Sequence, residues 1–131
     1  MTRFVVDASA VLWLAEEGID ISHDHKLLAP TLIRSQVLSM LHESVARGEI
    51  SASVARERLA RFRKMPIRLL GDAVLQRRAW EAADQLGWTE TYAAEYVALT
   101  QLHGDALVTL DPDVAQGLDG IVRVAGVDDV R

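Results

Sequence analysis

Short runs rich in β-branched residues alternate along this chain with longer stretches whose apolar residues recur at helical spacing. That alternation is the strongest constraint on the fold, because it predicts an α/β domain and not a helical bundle or a β-sandwich. Strands are expected at Phe4 to Asp7, Leu27 to Pro30, Ile67 to Leu70, Ala106 to Asp111 and Ile121 to Val124. Between them, Ser9 can cap a helix that runs to about Glu16. Thr31 can cap a second, with Ile33, Val37, Met40, Leu41 and Val45 at helical spacing and Gly48 as its stop. Ser51 opens a third, whose apolar stripe of Val54, Leu59 and Phe62 is narrow and whose other faces are dense in arginine. Asp72 opens a fourth, through Trp80 to Leu86, and Thr91 a fifth that reaches about His103. The stretch His23-Asp24-His25 reads as a loop. Right-handed crossovers would stack these units into three layers around a central, mostly parallel sheet.

Composition narrows the class further. The chain has 131 residues, about one domain's length, and shows no internal repeat or Pro/Gly/Ser-rich linker, so residues 1 to 131 read as a single domain. Cysteine is absent, which excludes disulfides, thiolate metal sites and cysteine nucleophiles and suits a reducing compartment. No apolar stretch approaches the roughly 20 residues of a membrane helix, and Asp7 interrupts the apolar region a signal peptide would need. The cytoplasm is the expected location. A net charge of −5 would repel a polyanion, so any nucleic-acid role needs local basic patches or a bound cation.

Two predicted strands end in aspartate: Phe4-Val5-Val6-Asp7 and Leu107-Val108-Thr109-Leu110-Asp111. In a parallel sheet all strand C-termini lie at one edge, where such folds place their chemistry, so the two carboxylates are expected to converge there. Converging carboxylates suit a hard divalent cation. Each aspartate has an alternative role as a helix cap, Asp7 ahead of Ala8-Ser9-Ala10 and Asp111 ahead of Pro112. Asp113 reads as a solvated first-turn acid.

Other candidates are weaker. Gln36 and Glu43 are seven apart on the second predicted helix, on one face but about 10 Å apart along its axis, so only one of them can reach a cation at the sheet edge. Glu43 could equally be an exposed helix acid. Glu90 and Glu95 flank the start of the fifth helix, where the helix dipole alone favours carboxylates. Tyr92 and Tyr96 read as core or interface residues. His23, His25, His42 and His103 show no zinc spacing, Ser9 and Ser35 have no identifiable histidine partner, and no Gly-rich phosphate loop is present. Arg56, Arg58, Arg61, Arg63 and Lys64, with Arg77 and Arg78, form either a solvated helix face or a surface for phosphates or an acidic partner.

Taken in order, Val5-Val6-Asp7-Ala8-Ser9, Leu28-Ala29-Pro30, Tyr92-Ala93-Ala94-Glu95-Tyr96-Val97-Ala98-Leu99 and Leu107-Val108-Thr109-Leu110-Asp111 resemble the PIN-domain ribonucleases, specifically VapC-type toxins of toxin–antitoxin pairs. The resemblance spans nearly the whole chain. It implies a Rossmann-like three-layer fold, Mg²⁺- or Mn²⁺-dependent cleavage of RNA, a homodimer, and neutralisation by a small VapB-like antitoxin. It also implies four acids: one after the first strand, one early in the second helix, one at the start of the fifth and one after the late strand. Asp7 and Asp111 match the first and last. Gln36 stands where a glutamate is expected and Ala93 where an aspartate is expected.

The resulting expectation is a metal-dependent endoribonuclease in which Asp7 and Asp111 hold the cation and Gln36, Glu43 and Glu90 are candidates for completing its shell, Glu43 also as a catalytic acid. Ala93 leaves an active, a weakened and an inactive centre open. The competing expectation is a PIN-fold binding module that dimerises and binds an antitoxin without cleaving RNA. A phospho-accepting receiver domain is disfavoured, because Asp7 has no adjacent acidic pair and the late strand ends in aspartate and not lysine.

Overall fold

The computed structural model describes residues 1–131. Along the chain run β1 (Thr2–Val6), α1 (Ala8–Glu17), β2 (His25–Pro30), α2 (Ile33–Ala46), α3 (Ala52–Lys64), β3 (Ile67–Leu70), α4 (Ala73–Leu86), α5 (Tyr92–His103), β4 (Ala106–Val108), α6 (Pro112–Ala115) and β5 (Val124–Ala125). A 3₁₀ turn over Val127–Val130 closes the chain. The sheet order is β3-β2-β1-β4-β5, and every pairing is parallel, so the expected mostly parallel sheet is wholly parallel. Helices cover it, which is why its central strands read as unbroken apolar runs: Phe4, Val5 and Val6, Leu27, Leu28 and Ala29, and Ala106, Leu107 and Val108 are all buried.

Helix α5 is hydrophobic nearly all round, with Ala94 and Tyr96 through Thr100 buried. It packs on β1, β2 and β4 and against α4, which turns Ala79, Ala82 and Ala83 inward. Alanines at this contact let the two helices approach closely. Helices α1, α2 and α3 form a second group in mutual contact. Gly18 and Gly87 end α1 and α4 in the left-handed conformation, at φ 65° and 71°, that a side chain would disfavour. No helix is long and apolar enough to cross a membrane.

Several boundaries differ from the sequence reading, each for a local hydrogen-bonding reason. Thr109, Leu110 and Asp111 lie beyond β4, where the Leu110 and Asp111 amides turn to the Ser9 and Thr109 hydroxyls, and Asp7 follows β1, its amide still bonded to the Val108 carbonyl while its side chain caps α1. Asp7, not Ser9, caps α1 by accepting the Ala10 amide at 3.0 Å. Ser51 and Asp72 cap α3 and α4 as expected, whereas neither α2 nor α5 starts with a side-chain cap from Thr31 or Thr91. His25 opens β2 and is not in a loop, because it lies in register with Thr2 of β1. The last strand starts only at Val124, since the Ile121 and Val122 amides turn back to the Leu118 carbonyl.

Candidate active site

Strand order reverses at β1: β2 and β3 extend the sheet to one side, β4 and β5 to the other. A crevice opens at the C-terminal ends of the strands that flank such a reversal. Asp7 directly follows β1 and Asp111 lies three residues beyond β4, so the topology brings the two predicted acids to the same edge of the sheet.

Two hydroxyls tie the sides together. The Thr109 hydroxyl donates to Asp7 Oδ2 and accepts the Asp111 amide at 3.0 Å. Ser9 mirrors it from the other side, donating to Asp7 Oδ1 at 2.7 Å and accepting the Leu110 amide at 2.9 Å. With the Ala10 amide also on Oδ1, the Asp7 carboxylate accepts three bonds and is only 7% exposed, which fixes its orientation. Asp111 is less buried. It caps α6 by accepting the Asp113 amide at 2.9 Å through Oδ1, and no protein group bonds Oδ2. Both aspartates therefore serve as helix caps, and Asp111 keeps lone pairs that the cap does not use. A hollow of about 510 Å³ lined by Ser9, Trp13, Met40 and Leu110 adjoins this edge, and neither aspartate lines it.

The third member of the group is Tyr96, which the sequence assigned only to core or interface. Its ring is buried and its hydroxyl donates to Gln36 Oε1, across 60 residues of chain. Burial, then the negative charges of Asp7 and Glu95, push the phenol far above its ordinary value, so it stays protonated and acts as a donor. Gln36 is thus held against Tyr96, with one lone pair of its carbonyl engaged. Glu95 is partly buried on the first turn of α5, and desolvation raises its carboxyl above the usual range. Ala93, at the position where the resemblance implies an aspartate, contributes a methyl group only.

Two expectations fail. Glu43 is exposed, accepts the Ser39 hydroxyl at 3.2 Å and lies 4.0 Å from Arg47, because α2 carries it two turns away from the end where Gln36 sits. Glu90 is exposed in the turn ahead of α5. No three acidic or histidine side chains assemble closely enough to hold a metal ion, so neither glutamate joins Asp7 and Asp111 in a common shell. The remaining donors are two aspartates, with one oxygen of Asp111 accepting no protein hydrogen bond. They do not form a closed protein cage.

The arginine-rich α3 is also less available than its sequence suggests. Arg61 donates to the Ala15 carbonyl at 2.8 Å and pairs with Glu57, and Arg58 lies 3.7 Å from Glu16, so these two side chains bind α3 to α1 or to its own surface.

Ser9, Thr109 and Tyr96 are the site residues that sequence reasoning missed. The only signal for Thr109 was its spacing of two from Asp111, which puts both on one side of an extended segment.

No protein-family model matches the chain. It is 33% identical over 110 residues to a VapC ribonuclease of Mycobacterium bovis and to ribonuclease VapC9 of Mycobacterium tuberculosis, covering 82% of this chain and 84% of each relative. Among solved structures, PAE2754 from Pyrobaculum aerophilum superposes with a TM-score of 0.76 at 23% identity, over 98% of this chain and 91% of that one. A chain of the VapBC2 structure from Rickettsia felis, bound to a DNA fragment from its promoter, superposes with a TM-score of 0.61 at 10% identity, over 95% of this chain and 98% of that one. These two likenesses establish the shared fold. With the sequence identity to the mycobacterial proteins over most of both chains, the protein belongs to the VapC ribonuclease family.

Proposed function

We propose that the chain is the toxin of a toxin–antitoxin pair, a cytoplasmic endoribonuclease whose phosphodiester chemistry is centred on Asp7 and Asp111. The observation that carries this reading is the Thr109 hydroxyl, which holds the Asp7 carboxylate and the Asp111 backbone as one unit at the sheet's reversal point. Asp7 and Asp111 would hold Mg²⁺ or Mn²⁺. When bound, such an ion lowers the pKa of attached water and offsets phosphate charge. The protein's own groups do the positioning. Ser9 and Thr109 fix the Asp7 carboxylate, and Asp111 keeps one oxygen free of hydrogen bonds. Tyr96 is buried and its hydroxyl locks the Gln36 amide. An RNA strand, a VapB-like antitoxin and a second copy of the chain complete the set of partners this reading assigns.

One observation favours a second reading, a binding module that keeps dimerisation and antitoxin contact without hydrolysis. The crevice has two carboxylates and no third acid within reach, since position 93 is alanine and position 36 an amide. Mn²⁺ titration with cleavage of structured RNA separates the two, using the chain as it stands and its Ala93→Asp variant. A carboxylate at the start of α5 raises cation affinity, so cleavage rising at least about tenfold in the variant supports the nuclease reading. Silence in both, with the variant folded and dimeric, supports the module.

A further inference from the structure

At the end of the sheet where β1 and β2 begin, a cavity of about 520 Å³ is lined by Arg3, Lys26, Arg68, His23, His25 and His103, and no carboxylate lines it. Its composition follows from register. Arg3 pairs with Lys26 and Val5 with Leu28, while Leu28 pairs with Arg68, so alternation puts all three cations on the face that carries Val5. That face meets the end of α5, since a Cβ on Gly104 would stand 2.8 Å from Val5 Cγ2. Arg3 lies four residues before Asp7, about 13 Å along β1 and toward the opposite end of the sheet from the aspartates.

Cations set side by side on neighbouring strands repel each other, a cost that a chain of net charge −5 has no general reason to incur. Like most of the chain's Lys and Arg side chains, Arg3, Lys26 and Arg68 form no ion pair, so their charges are free for a ligand. Asp105, bonded to the Arg3 backbone amide at 2.8 Å, stays outside the cavity lining. His25, which alternates to the other face beside Phe4, has a buried Nδ1 with no protein partner at the same end of the sheet. The cavity shares Ser22, His23 and Pro66 with a hollow of about 640 Å³ that adds Lys64, a single acid, Asp20, and Arg61 and Arg131, both already paired with carboxylates.

We propose that this basic cavity is a phosphate-binding site separate from the aspartate pair, taking the phosphoryl oxyanions of an RNA strand or of a free polyphosphate. Guanidinium groups match such oxygens through charge-assisted bonds. The proposal is read by binding and stands apart from the cleavage reading, so either can fail alone.

The test is calorimetric titration of the full chain in EDTA at about 50 mM salt, where electrostatic contacts are strong and no divalent ion occupies the aspartates. The probes are inorganic tripolyphosphate and a single-stranded oligouridine, each against the native chain and a Lys26→Gln/Arg68→Gln variant. The native chain should bind at least one probe, and the variant should lose at least about tenfold in affinity for it. A loss that includes oligouridine identifies RNA as the source; a loss confined to tripolyphosphate identifies a free anion. The variant should melt no lower than the native chain, because its substitutions remove repulsion. Failure of both probes to bind the native chain, or binding to the variant as tight as to the native chain, overturns the proposal.

Discussion

Replacing Thr109 by valine keeps the side chain's shape and deletes the hydroxyl that joins the two aspartates. The loss has two parts. Asp7 Oδ2 forfeits a bond to a charged acceptor, about 2 kcal/mol, and the Asp111 amide is left without its acceptor, about 1 kcal/mol more. The methyl group gained by valine in this buried position returns roughly 0.8 kcal/mol. The net destabilisation is about 2 kcal/mol. Unfolding entropy near 2.1 cal/mol/K per residue gives about 0.28 kcal/mol/K for 131 residues, so the melting temperature should fall by about 7 °C. Thr109→Ser keeps the hydroxyl and loses only a methyl group, about 1 kcal/mol, or about 4 °C. Differential scanning calorimetry of the three proteins should rank them native, serine, valine. In the cleavage assay the serine form should keep activity that the valine form loses. A valine form that melts at or above the serine form would show that the hydroxyl does not link the aspartates, and the site's geometry would have to be abandoned.

Tyr96 should resist ionisation. Its raised value means that the folded state favours the protonated phenol, so its contribution to stability is complete below about pH 10 and declines as pH rises further. Ultraviolet titration of a Tyr92→Phe variant should show no phenolate until the protein unfolds, and a reversible native-state transition near pH 10 would contradict this. Glu95 works in the same direction at lower pH. Burial favours its neutral form, so stability from this group is present below the unfolded carboxylate value and is lost as pH rises through the raised one. The melting temperature of Glu95→Gln relative to the native chain should therefore be higher at pH 7 than at pH 3.5, and an unchanged difference would refute the assignment. Gly104→Ala would place a methyl carbon 2.8 Å from Val5 Cγ2 and 3.2 Å from Thr100 Cα at ordinary backbone angles, so overpacking alone should cost about 1 to 3 kcal/mol, visible as a lower urea midpoint.

Local sequence was enough for the architecture and for one half of the chemistry. Short apolar runs alternating with helical periods along the chain dictated parallel strands joined by helices, and the runs ending at Val6 and Val108 located the acids that follow them. Those signals act within a single element, through side-chain direction and capping, so they are readable without knowing what lies opposite. What they could not contain is which elements meet. The bond from Tyr96 to Gln36 spans 60 residues and that from Thr109 to Asp7 spans 102, and each exists only because the sheet order places β1 between β2 and β4. Glu43 and Glu90 showed the converse, since both are plausible ligands by residue type and both are held away from the crevice by the packing of their elements. The basic cavity was likewise invisible, because Arg3, Lys26 and Arg68 are isolated in the chain and become neighbours only through strand register. Contacts between distant segments are fixed by burial of the whole core, a global free-energy minimum that no local pattern encodes.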